Sequence, residues 1–160
     1  MTYPEAVYRG DTGEVSARFR SSTTKPDLVR RNGTEVHYLA TGSSTDGLFG
    51  LYKWSMGPRP GGADPHFHRT MSESFLILSG TVRIYDGTAW RAAQAGDFLH
   101  VPPGGVHAFK NDSGAPASML IHFARGAPRE AYFEGLDGLD QMTEEEKAAF
   151  LVAHDNIYLA

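Results

Sequence analysis

The chain has 160 residues and a net charge of −4, from 15 Lys and Arg against 19 Asp and Glu. That is one domain's length, with no basic stripe of the kind that neutralises phosphates, so nucleic acid is excluded as a partner. A hydrophobic fraction of 41% with 11% aromatics supplies a core, and zero cysteines exclude a disulfide scaffold, thiolate metal sites and a cysteine nucleophile. No apolar run approaches the roughly 20 residues of a membrane span. The segment Met1 to Asp11 lacks the apolar core of a secretory signal, so a soluble, cytoplasmic protein is expected.

Residues 1–34 read as an arm. Val15–Arg20 is a candidate short strand, Pro26 breaks the polar stretch after it, and Asn32-Gly33 signals a turn. From residue 35 to 125 the pattern becomes short strand-like runs between Gly and Pro clusters. The candidate strands are Glu35–Thr41, Leu48–Met56, Ser74–Leu78, Thr81–Tyr85, Ala89–Ala93, Asp97–Val101, His107–Lys110 and Ser118–Phe123. Asp86-Gly87 signals a tight hairpin whose two central positions need φ > 0. This spacing predicts an all-β sandwich or barrel. Residues 126–160 switch period and form a helical tail. Ala131–Leu139 is one candidate helix; Thr143 to Glu146 reads as a capping box ahead of the apolar run Ala148–Val152.

The histidines carry the chemistry. His66 and His68 are two apart, which on a strand puts both rings on one face. Glu73 follows at an odd spacing, so a turn or bulge in Arg69–Ser72 must bring its carboxylate back. His107 opens a strand behind a Pro-Pro-Gly-Gly turn. Three imidazoles and a carboxylate make an N₃O set for one divalent transition metal ion (Fe, Mn, Ni, Cu, Co or Zn), with two positions of a six-coordinate site left for water, O₂ or substrate.

The segment His66-x-His68-x₄-Glu73-x₆-Gly80 resembles the first cupin motif, and Gly96-x₅-Pro102-x-Gly104-x₂-His107-x₃-Asn111 resembles the second. The glycine usual six residues before the first histidine is replaced by Pro60, with Gly61 and Gly62 beside it, as if the turn had slipped. The resemblance implies a double-stranded β-helix, or jelly-roll barrel, with a metal held by His66, His68, Glu73 and His107. It also implies an oxygenase like the quercetinase-like cupins, acting on a small aromatic or enolic substrate chelated to the metal. The matching glutamate of flavonol dioxygenases takes a substrate proton, so Glu73 is either such a base or a plain ligand. The stretch Glu130–Leu136 is similar to the region after the barrel in that group. The alternatives are a zinc-dependent cyclase or isomerase of a polyketide-type pathway, and a non-catalytic small-ligand or metal-binding cupin.

By period two, Phe75 and Ile77 share the face of Glu73, and Phe109 that of His107, so all three are expected to line the pocket, with Trp54 and Met71 as further walls. His122 is the candidate acid–base partner, ahead of His100; His37 and His154 read as structural. Asn111 and the motif glycines read as turn-formers. Leu76 and Leu78 require cover on the opposite face, from the second sheet, the arm or a partner subunit. A homodimer is expected, and the tail is expected to cap the barrel or build a dimer contact.

Overall fold

In the computed structural model, which describes residues 2–159, the chain forms two facing antiparallel sheets. One has six strands in the order β1 (Leu28–Val29), β2 (Glu35–Ala40), β3 (Phe49–Met56), β10 (Ala117–Ala124), β5 (Ser72–Ser79) and β8 (Phe98–Val101). The other has five, in the order β11 (Ile157–Tyr158), β4 (Gly61–Phe67), β9 (His107–Asn111), β6 (Thr81–Tyr85) and β7 (Trp90–Gln94). This is the expected all-β jelly roll.

Alternation sets which residues are inside. In β3, Tyr52, Trp54 and Met56 point into the barrel while Leu51, Lys53 and Ser55 point out; in β10, Met119, Ile121 and Phe123 point in while Leu120 and His122 point out. With Phe75, Ile77, Val82, Ile84 and Phe109 these residues fill the space between the sheets.

The strands fall close to where alternation put them, with informative departures. Val15–Arg20 forms no strand, and the extended segment before β1 leaves Val7, Val15 and Phe19 exposed. Asp86 does not take a positive φ. The hairpin instead closes through a longer loop in which the Asp86 carboxylate accepts from the backbone N–H groups of Thr88 and Ala89, each at 2.9 Å, and only Gly87 is left-handed. Strand β4 hides behind Gly61, Gly62 and Pro65. Gly62 is needed there because a Cβ would lie 2.0 Å from the Phe109 carbonyl oxygen of β9.

The tail forms α1 (Glu130–Gly135), a 3₁₀ segment (Leu136–Gln141) and α2 (Glu144–Ala153), followed by β11. The capping box is present: Thr143 Oγ1 accepts from Glu146 N, and the Glu146 carboxylate accepts from Thr143 N. Of the apolar run in α2, Phe150 and Leu151 pack against the core while Val152 is exposed. No helix among the described residues is long and apolar enough to cross a membrane.

Asp137 fastens the tail to the β1–β2 hairpin. Its carboxylate accepts from the Arg30 guanidinium at 2.8 Å and from the Arg31 backbone N–H at 2.7 Å. Burial pushes this carboxyl up, but the Arg31 N–H and the Arg30 guanidinium hold it below its ordinary value. A carboxyl with a depressed folded pKa stabilises above its unfolded pKa and loses that contribution as pH falls through the folded one. Asp137→Asn is therefore expected to cost about 1–2 kcal/mol at pH 7. In thermal unfolding the gap to wild type should close under strongly acidic conditions; a gap independent of pH would contradict the assignment.

Candidate metal centre

The site is assembled across both sheets. His66 lies near the end of β4, directly opposite His107 at the start of β9. After His68 the chain turns through Arg69 and Thr70 and enters the other sheet as β5, which presents Glu73 from across the barrel. The odd spacing is thus resolved by a turn between sheets. Gly104, at φ 83, donates its N–H to the His68 carbonyl at 2.7 Å and holds the loop before β9 against the first pair of histidines.

One ligand atom from each of His66, His68, Glu73 and His107 lies within 4.8 Å of all the others, and all four residues are buried. Each histidine Nδ1 rests on a backbone carbonyl: Asp64 at 2.7 Å for His66, Asp155 at 2.5 Å for His68 and Gly105 at 3.0 Å for His107. A carbonyl only accepts, so each Nδ1 carries a proton, and in the neutral ring each Nε2 presents a lone pair. For His68 and His107, Nε2 faces Glu73 Oε2, at 2.8 and 2.7 Å.

With neutral rings acceptor would face acceptor, so the cluster requires a cation there, either a proton on an imidazole or a metal ion. A proton serves one pair; a divalent ion serves all four donors, and nitrogen with one carboxylate suits a first-row dication. The donor set fits. Burial pushes the Glu73 carboxyl up, but the charge on His107 and hydrogen bonds from His107 and His68 hold it well below the usual carboxylate range. Burial, with His107 adding to it, lowers His66 to about 4, so its ring is neutral at pH 7, the form a metal needs. For His107 burial acts downward, and the Glu73 charge and hydrogen bond outweigh it and raise the imidazole above its ordinary value.

Beside the cluster lies a cavity of about 210 Å³. His66, Glu73, Trp54 and Phe109 line it, as do Arg129, Tyr132, Asn156 and Tyr158 of the tail. The tail therefore builds the site as well as capping the barrel. Tyr158 pairs with His66 in register and stacks on its ring at 5.2 Å. Asp155, left-handed at φ 54, gives its carbonyl to His68, while its carboxylate accepts from Arg69 N at 2.9 Å and Thr70 N at 2.8 Å, at the corner between the sheets.

Of the expected pocket walls, Trp54 and Phe109 reach the cavity. Phe75, Ile77 and Met71 do not; they are core residues, with the Phe75 ring 5.8 Å from that of His107. His122 corrects the acid–base expectation: it points outward from β10 against Phe49, on the face opposite Ile121 and Phe123. His100 is also on the outer face, bonded to Ser74. Arg129 and Tyr158 were not singled out in the sequence. The only local signal was an arginine directly before the aromatic segment of α1.

The description "Cupin domain" matches residues 53–123, which hold all four residues of the cluster. The chain is a member of the cupin superfamily. It is 33% identical over 82 residues to the quercetin 2,3-dioxygenase of Bacillus subtilis (strain 168), a match spanning 51% of this chain and 24% of that protein; the chain thus covers about a quarter of the relative's length. Two solved structures share the fold. A predicted oxalate decarboxylase from Thermotoga maritima gives a TM-score of 0.59 at 19% identity, over 68% of this chain and 99% of that one. A sugar phosphate isomerase from Silicibacter pomeroyi gives 0.51 at 22% identity, over 66% of this chain and 68% of that one.

The donor geometry has a direct consequence for metal content. His66→Ala and His107→Ala are expected to lower bound metal about tenfold or more in elemental analysis, and chelator treatment should lower the Tm of wild type but not of the variants. Full occupancy in either variant would contradict the four-residue assignment.

Proposed function

We propose that this cupin is a metal-dependent oxygenase for a compact aromatic or enolic substrate, with His66, His68, Glu73 and His107 as the metal ligands. The observation that carries the reading is the buried N₃O cluster opening on an aromatic cavity, in a chain of which 82 residues are 33% identical to part of a quercetin dioxygenase. A bound divalent ion would supply Lewis acidity toward a substrate oxygen and, if redox-active, reactivity toward O₂.

The chain's own residues do the rest. The three Nδ1–H donors fix the imidazole orientations, so the Nε2 lone pairs converge without reorganisation. Glu73 engages His68 and His107 through Oε2 and also borders the cavity. In this reading its Oε1 takes the proton from a substrate hydroxyl as that oxygen approaches the metal position. Trp54, Phe109, Tyr132 and Phe133 provide flat apolar walls that seat a ring and exclude water. A volume of about 210 Å³ is below the common range for ligand pockets, which favours a single ring over a polycyclic molecule.

The test is O₂ uptake by protein reconstituted separately with Fe, Mn, Ni and Co, against single-ring vicinal diols, hydroxy acids and enols. Uptake stoichiometric with substrate loss, absent in His107→Ala, is the expected result. Substrate turnover with no O₂ consumed would overturn the oxygenase reading in favour of Lewis-acid cyclase or isomerase chemistry.

A further inference from the structure

Two buried donors in the cavity wall have no acceptor in the protein. Arg129 is only 2% exposed, and Trp54 only 4%, yet Arg129 Nε and Trp54 Nε1 each lack a hydrogen-bond partner. Both residues line the same cavity as His66 and Glu73. Both Nη atoms of Arg129 have partners: Nη1 donates to the His154 carbonyl at 2.7 Å and Nη2 to Asn156 Oδ1 at 3.3 Å. Its guanidinium stacks near Tyr132 and Phe123, at 4.3 and 4.8 Å from their ring centres. These contacts fix the direction of Nε without supplying it an acceptor.

The charge balance points the same way. No carboxylate lies within ion-pair distance of Arg129 among the described residues, whereas Arg30, the other arginine on the cavity, is paired with Asp137. Besides Glu73, the cavity's other carboxylate is Asp64, which is exposed. With a dication held by three neutral imidazoles and Glu73, the buried centre and Arg129 together keep two uncompensated positive charges. Burying such an excess is costly unless something negative enters.

We infer that Arg129 Nε–H and Trp54 Nε1–H form an anion subsite, so that the substrate chelated beside them carries a carboxylate or an equivalent oxyanion. This narrows the substrate class to anionic chelators such as hydroxy or oxo acids, and it rests on the metal reading above.

Cobalt-loaded protein separates the two ideas. Salicylate and the neutral salicylamide serve as probes, with the visible cobalt spectrum reporting each titration. Wild type is expected to prefer salicylate; Arg129→Gln should weaken salicylate binding about tenfold or more while changing salicylamide little, with cobalt content unchanged. Because Arg129 also ties α1 to the chain after α2, Trp54→Phe provides an independent variant that keeps the ring and deletes only the N–H; about a threefold to tenfold loss for salicylate is expected. Unchanged salicylate affinity in Trp54→Phe and in folded Arg129→Gln would overturn the subsite while leaving the metal centre standing. Failure of wild type to bind cobalt would instead remove the metal reading on which the subsite depends.

Discussion

The structure turns on one contact that needs a cation: Nε2 of His68 and Nε2 of His107, both directed at a single oxygen of Glu73. Three backbone carbonyls hold the Nδ1 protons on the far side of the rings, so neutral imidazoles cannot satisfy Glu73 by switching tautomer, and a further proton or a metal ion must stand between Nε2 and the carboxylate. Burial prevents water from doing so cheaply. The barrel is thus organised around a place for a cation, and its two sheets are the means of bringing a carboxylate from one side against imidazoles from the other.

The C-terminal tail is part of that organisation. Tyr158 stacks on His66, Asp155 accepts from His68 and braces the corner that leads to Glu73, and Arg129 joins the end of α2 to the cavity wall. About half of the residues that line the cavity therefore lie outside the matched stretch 53–123. The matched stretch holds the four clustered residues, and the tail supplies much of the wall above them. Two structural relatives of this fold, named for a predicted oxalate decarboxylase and a sugar phosphate isomerase, illustrate that fold alone does not set the chemistry.

The strands and the four clustered residues were legible because their signals are local. Buried-face alternation marks β3 and β10, and the histidine spacing survives any fold that keeps β4, β5 and β9 adjacent. Parity alone does not say which face of β10 is inside, since Leu120 and Leu76 make the outer face apolar too, and His122 lies on that outer face. The same parity that placed Phe75 and Ile77 on the Glu73 face was correct, but only the Glu73 end of that face borders the cavity. Strand β4 was obscured because glycines read as turn residues, whereas Gly62 is set by the close approach of β9. Arg129, Asn156 and Tyr158 reach the site purely through tertiary packing, which no short-range pattern encodes.

X-ray absorption on protein loaded with a single zinc ion per chain tests the central claim most directly. The account predicts a first shell of nitrogen and oxygen at about 2.0–2.2 Å with the multiple-scattering signature of three imidazoles. A shell with one imidazole or none would mean that the ion sits elsewhere and that the convergence of His66, His68, Glu73 and His107 serves only to hold a proton.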